Sequence, residues 1–325
     1  MQKALTYIRH FWFFIITTAL SAWTVTAFSV HFDSAPFYIA SFVFGAVAIG
    51  VFALRFWSSR HAWFGFAALF AVVTLWYQTI LPSHDRNWTS DVAQLLDAEV
   101  NEDKVLLKNM RDFAWSDEKT AKENWIDREF DLNKIKSVDM VTSVWDNPDI
   151  AHLLVSFGFE DQENVVFSVE IRKESHEKYS VVGGFFKQFE IALVAATEED
   201  VLKLRTNHRQ EDVKLFPVDI SKEQQQDLFM SYVKLAQDWA KEPQFYHTIT
   251  GNCTTTVAKL ARVIKPDLTF DKRMILSGRL PSLVADLGGF ETELPIEERM
   301  KRAEITAKAL ALGDTDYSTG IRAGM

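Results

Sequence analysis

Three long apolar stretches open the chain. Phe11 to Val30 runs twenty residues, Phe37 to Leu54 eighteen and Trp63 to Leu81 nineteen, all without a charged side chain. An α-helix needs about twenty apolar residues to cross the hydrocarbon core of a bilayer. The pattern therefore predicts three transmembrane helices, at about residues 11–30, 37–56 and 63–81. The first is too long for the apolar part of a cleavable signal, and no small-x-small site follows it. After Pro82 the pattern shortens. Lys104–Lys108, Asn109–Trp115, Asp139–Val144, His152–Phe159, Val165–Arg172, Phe189–Ala196 and Val213–Val218 read as strands. The runs 152–159 and 165–172 are joined by the polar turn Glu160–Asn164 and form the clearest hairpin. From Phe167 onward, alternation sends Ser168, Glu170 and Arg172 to one face and Phe167, Val169 and Ile171 to the other.

Helical periods dominate the last third. Ser221-x-x-Gln224 is a capping-box pattern ahead of Leu228, Phe229, Tyr232, Val233, Leu235 and Ala236, and Pro243 ends that helix. A second helix begins near Cys253 and stops before Pro266, and a last one runs from Ile296 to Leu312. The predicted class is α+β, with a central antiparallel sheet and helices packed on it. The expected organisation is a membrane region over 1–82, a soluble domain over 83–312 and a disordered tail over 313–325.

Charge orients these parts. Lys3 and Arg9 precede the first apolar run, and Arg55 and Arg60 lie between the second and third. The loop His31–Pro36 carries Asp33 and no Lys or Arg. The positive-inside rule puts the N-terminus in the cytoplasm and everything after about Pro82 on the far side of the membrane. Trp57, Trp63, Trp76 and Tyr77 fall near predicted helix ends, where interfacial aromatics sit. Beyond Pro82 the chain has 31 Lys and Arg against 43 Asp and Glu, a net of −12. That excludes nucleic acid as a partner and broad adsorption to anionic lipid, leaving the helices as the anchor.

The one cysteine, Cys253, begins a predicted helix. Unsatisfied N–H groups and the positive end of the helix dipole stabilise a thiolate there. A lone cysteine cannot form an intrachain disulfide or a Cys-rich metal site; the alternative is a small buried residue. A thiol nucleophile needs a base. Of the soluble domain's histidines, His84, His176 and His208 read as solvated, and His247 lies in the loop six residues before Cys253. His152 begins a core strand, and Glu170, on the next strand at about the opposing position, is the candidate to orient its ring. Asn252, Tyr246 and the first N–H groups of the helix are candidates to hold an oxyanion. Arg111, Arg172 and Lys173 are candidates to contact a lipid phosphate, with structural pairing as the alternative. The histidines are scattered, so no metal site and no cofactor are expected.

Several ordered motifs carry a resemblance. Asn109-Met110-Arg111-Asp112-Phe113, the run Ile150 to Phe159, Ser168 to Glu174, Gly184 to Glu190 and Phe245 to Thr255 resemble those of the DUF4105 family, also called the Lnb N-terminal periplasmic domain. The likeness spans about residues 85 to 310. It implies a papain-like fold of the permuted NlpC/P60 type, periplasmic on the bacterial inner membrane, with His152 and Cys253 as its catalytic pair. It further implies an acyltransferase acting in lipoprotein N-acylation: membrane phospholipid gives an acyl chain, through a Cys thioester, to the α-amino group of a lipidated lipoprotein. The chain departs from the family in carrying His247 where many relatives have Asn. It also has three expected spans before the domain and little after it, where the best-known members carry further membrane segments. A thiol hydrolase on the same framework, acting on cell-wall peptide or phospholipid, and a non-catalytic envelope protein are the competing readings.

Overall fold

A computed structural model describes residues 2–160, 164–291, 294–312 and 316–325, with side chains from Tyr7 onward. The chain divides into two compact units, residues 1–82 with 180–188, and residues 83–179 with 189–325.

The first unit holds α1 (Gln2–His31), α2 (Ser34–Trp57) and α3 (Ser59–Gln78). Two of them are long and apolar enough to cross a membrane, over Tyr7–His31 and Ser34–Trp57. Only 28% and 17% of those two windows is buried, whereas a soluble core helix would be mostly covered. The third expected span forms a helix too, but α3 is not long and apolar enough by the same measure. It begins at a Ser58 cap and carries Arg60 and His61 in its first turn, which shortens its apolar run. The predicted count of three is therefore corrected to two. Phe13, Val51, Ala62 and Phe66 form one packed cluster between these helices, and Phe28, Phe44, Ala48 and Val73 form another. Residues 180–188 pack here as well. Phe186 lies 5.6 Å from Trp23 between ring centroids and accepts a hydrogen bond from His31 Nε2 at 2.6 Å. Lys187 Nζ donates to the carbonyls of Tyr77 and Ile80.

The second unit is built on one mixed sheet. Its strands are β1 (Asp97–Asn101), β2 (Lys104–Arg111), β5 (Trp125–Asp131), β6 (Ile135–Val144), β7 (His152–Phe159), β8 (Val165–Arg172), β9 (Glu190–Thr197) and β10 (Asp212–Pro217), while β3 (Ala114–Trp115) and β4 (Ala121–Lys122) form a separate ribbon. Among the described residues the order is β1-β2-β9-β8-β7-β6-β10, with β5 also on β2. Every pairing is antiparallel except the short parallel one of β2 with β9, so the expected antiparallel sheet is mixed. The strands read at 104–108 and 109–115 merge into β2 as far as Arg111, with a bulge after Leu107 where Asn109 takes φ 58° and its N–H binds Asp127, while Ala114–Trp115 goes to β3.

Alternation along the central strands supplies both faces. Val155, Phe157, Val165, Phe167, Val169, Leu193 and Ala195 pack under α5 (Lys222–Lys241), whose Phe229, Tyr232 and Val233 are fully buried. The expected Ser221–Gln224 capping box starts that helix. The opposite face buries Leu154, Val166, Val194 and Ala196 with Val201 and Leu202 of α4 (Glu198–Lys203).

The last predicted helix is broken. Helices α6 (Cys253–Ala261) and α7 (Leu280–Asp286) precede α8 (Ile296–Arg302) and α9 (Thr306–Ala311). Between α8 and α9 the backbone leaves the helix to pair with β10: Leu215 N–H donates to Ala303 and Ile305 N–H to Val213. The tail is not disordered over its described residues. It forms α10 (Tyr317–Ile321), with Tyr317 and Ile321 buried. Arg322 then reaches Asp139 Oδ2 at 2.7 Å and Glu198 Oε1 at 2.6 Å, both on nearly inaccessible side chains. Residues 313–315 and the turn residues 161–163 lie outside the described residues.

Removing one partner of such a buried network leaves charge uncompensated, at a cost of about 3–5 kcal/mol. Arg322→Ala should lower the thermal midpoint of the detergent-solubilised protein by several degrees, and ending the chain after Leu312 should lower it at least as far. Differential scanning fluorimetry checks both.

Candidate functional site

Cys253 is the first residue of α6, and its cap is complete. Asn252 Oδ1 accepts the Thr255 N–H at 2.9 Å while Thr255 Oγ1 accepts the Asn252 N–H at 3.1 Å. The Thr256 N–H goes to the Asn252 carbonyl. Among the described residues no hydrogen bond takes up the N–H of Cys253 or Thr254. Those two donors are the helix-end pair that an oxyanion could use. The segment leading to the cysteine is fixed on β9: Ile191 N–H donates to Gln244, and Tyr246 N–H to Phe189.

His152 is the first residue of β7, and the chain before it is clamped. Ser277 Oγ accepts the Ala151 N–H at 2.8 Å, and Gly278 N–H donates to Asp149. A Cβ at Gly278 would stand 1.9 Å from the Pro148 carbonyl oxygen, so only glycine permits this approach. Leu154 pairs with Ser168; two residues further along, the same alignment sets His152 opposite Glu170. His152 Nε2 lies 2.7 Å from Ser168 Oγ and 3.2 Å from Glu170 Oε1, and Ser168 Oγ donates to Glu170 Oε1 at 2.6 Å. The imidazole of His152 acts electrostatically on the Cys253 thiol. The Leu153 backbone N–H also favours the charged sulfur, and Thr254 Oγ1 lies 3.8 Å from it.

Two faces of the sheet meet at this end. Cys253 arrives on α6, which packs with α5. Arg205 arrives from the opposite face, on the π-helical turn Leu204–His208 after α4. Arg205 is almost fully buried, and its Nη2 donates to Glu170 Oε1 at 3.1 Å while Nη1 donates to the Val201 carbonyl.

The electrostatics follow from this geometry. Burial works against every charge here. For Glu170 it is outweighed by His152, Arg205 and the Ser168 hydroxyl, which together hold the carboxyl well below its usual range. For His152, burial is outweighed by the Glu170 charge and by the interactions with Cys253 and Glu170, and its pKa rises to about 9. For Cys253, burial is outweighed by His152, and the thiol pKa falls. Both shifts favour the thiolate–imidazolium form of the pair over the neutral form. Because His152 is raised, its contribution to stability is complete below its ordinary 6.5 and is lost as pH passes about 9.

The other expected site residues divide. The Asn252 side chain is taken up by the cap and by its Nδ2 bond to the Thr248 carbonyl at 2.7 Å, so it braces the loop rather than supplying an oxyanion donor. His247 is likewise a loop residue: its Nδ1 accepts the N–H groups of Ile249 and Thr250, and its backbone exchanges two bonds with Gly251. Tyr246 does stand by the site. Burial raises its hydroxyl pKa, and the Cys253 charge adds to that. Arg111 is no phosphate contact; it is buried in a bidentate pair with Asp200, at 2.7 and 3.0 Å. Arg172 is buried too. It donates to the carbonyls of Val92 and Ala93 and lies 4.3 Å over the Trp88 ring. Lys173 gives its carbonyl to the Thr89 N–H, and no described contact brings it to the cysteine. Sequence reasoning missed Ser168, Arg205 and Tyr179. The alternation that placed Glu170 on one face also placed Ser168 there. Tyr179 is exposed, and its hydroxyl pKa is raised by burial and by the Cys253 charge. Among the described residues no three His, Cys, Asp or Glu side chains gather to hold a metal.

The family model described as the Lnb N-terminal periplasmic domain matches residues 121–284, and the chain belongs to that family. The matched span holds His152, Ser168, Glu170, Arg205 and Cys253. It is shorter than the expected 85 to 310 and leaves out the Asn109–Phe113 motif. No curated protein and no solved structure matches the chain. The periplasmic family and the two apolar helices together point to a membrane-anchored periplasmic protein.

Iodoacetamide should alkylate Cys253 with a pH midpoint below that of an ordinary thiol. In His152→Ala, burial acts unopposed and the rate at pH 7 should fall by at least about tenfold. Glu170→Gln should move the midpoint upward by less, and Arg205→Ala by less again. Intact-mass kinetics across pH 5 to 10 check the order.

Proposed function

We propose that this protein is a membrane-anchored thiol acyltransferase of papain-like fold, with Cys253 as nucleophile and His152 as its acid–base partner. The observation that carries the reading is the Cys253–His152–Glu170 array at a helix start, in a domain anchored beside lipid. The Cys253 thiolate attacks an ester carbonyl of a phospholipid. The N–H groups of Cys253 and Thr254 hold the oxyanion, with Tyr246 and Tyr179 beside them. The His152 imidazolium gives its proton to the departing glycerol oxygen, and lysophospholipid leaves. An acyl thioester remains. The α-amino group of a lipidated lipoprotein then attacks it, His152 takes the amine proton, and the thiolate departs as the amide forms.

Glu170 keeps His152 charged for the first step, and Arg205 keeps Glu170 ionised. Tethering holds the domain within reach of lipid esters and raises their effective concentration.

A reporter lipoprotein, expressed in cells lacking their usual N-acyltransferase, tests the reading. Mass spectrometry should find its N-terminus acylated with the wild type and free with Cys253→Ala or His152→Ala. Acylation that persists in both variants would sink the proposal. Release of free fatty acid with no amide formed would assign the site to a lipid hydrolase, and cleavage of a stem peptide to a cell-wall peptidase.

A further inference from the structure

A cavity of about 340 Å³ lies alongside α6 in the periplasmic domain. Thr254, Val257, Ala258 and Ala261 line it. They recur at i, i+3, i+4 and i+7, so one face of α6 forms a wall that starts beside Cys253 and runs away from it. Leu153, next to His152 on β7, lines the cavity as well. Leu280, Leu283 and Val284 of α7 complete the apolar walls. Polar side chains collect past the far end of α6: Gln224 Nε2 donates to the Ile264 carbonyl, and Lys265 follows.

Size and chemistry narrow the occupant. From Cys253 to Ala261 is eight residues, about 12 Å along the helix axis. The cavity is many times the roughly 10–15 Å³ of such space that one buried water needs, room enough for an extended alkyl chain. Water gains little in such a space, because it needs two to four polar partners and these walls offer few. Left empty, the walls forfeit packing contacts. We propose that this cavity receives the hydrocarbon tail of the phospholipid acyl group that Cys253 takes up. It holds the part of the chain nearest the thioester, and longer chains pass the rim at Lys265. The inference rests on the acyl-transfer reading of the site. Each methylene buried there should strengthen binding by up to about fourfold.

Alkyl methanethiosulfonates of increasing length test the cavity without requiring acyl transfer, since each forms a disulfide with the thiolate and releases a sulfinate. Cys253 is the only cysteine, so intact mass reports one site. The full-length protein in lipid nanodiscs should react at least tenfold faster with the decyl than with the methyl reagent. Ala261→Phe and Val284→Phe, on different helices, should leave the methyl rate unchanged and reduce the decyl-to-methyl ratio at least fivefold. Partition of the reagents into lipid is common to all three proteins and cancels in the comparison. A ratio unchanged in both variants overturns the cavity proposal, even if a thioester forms on Cys253 from phospholipid. A ratio that falls as expected supports the cavity; absence of any phospholipid-derived thioester in the same preparation then counts against the transfer reading alone.

Discussion

Glu170 carries a negative charge where burial should have removed it, and two cations keep it there. Arg205 approaches from one side and His152 from the other, with the Ser168 hydroxyl bridging the carboxylate and the ring. Take the arginine away and the carboxylate loses a reason to stay ionised. Take the carboxylate away and the imidazole falls back toward a neutral ring. A neutral ring can still accept a proton from Cys253, but it no longer stabilises the thiolate in advance. The readiness of the nucleophile is thus set three residues away, on the far face of the sheet from the helix that bears it.

Strand pairing and one helix end make this arrangement possible. Antiparallel alignment of β7 with β8 brings His152 level with Glu170 to within a residue, because a slip of one would turn every side chain to the other face. The capped start of α6 then meets the strand end at a height fixed by the backbone bonds of residues 244–246 to β9. Neither device depends on a flexible side chain finding its partner, so the site is formed before any substrate arrives.

The sequence made the local parts of this legible. Alternation over residues 165–172 put Ser168 and Glu170 on one face, the helix-start position singled out Cys253, and the family resemblance joined it to His152. Arg205 left no such trace: it lies on a π-helical turn that only tertiary packing carries to Glu170. Arg111 and Arg172 misled for a related reason, since charge in a strand-like run says nothing about whether a carboxylate or a carbonyl waits inside. The third membrane helix was overcounted because the absence of charge is a looser criterion than apolarity. Residues 316–325 looked like a tail because short helices with two apolar positions have almost no period to read. Their order comes from acidic side chains far back in the chain.

That distance bears on how the protein is made. Arg322 is 183 residues beyond Asp139, its partner on β6. The sheet strands emerge first, with Asp139 and Glu198 still without the cation that lets them be buried. Burial of the two acids as charges thus depends on a segment far along the chain. The helix before Arg322 acts as a clasp: it joins β6 and the start of α4 through one cation, so the two faces of the sheet are locked by a contact that no neighbouring residue supplies.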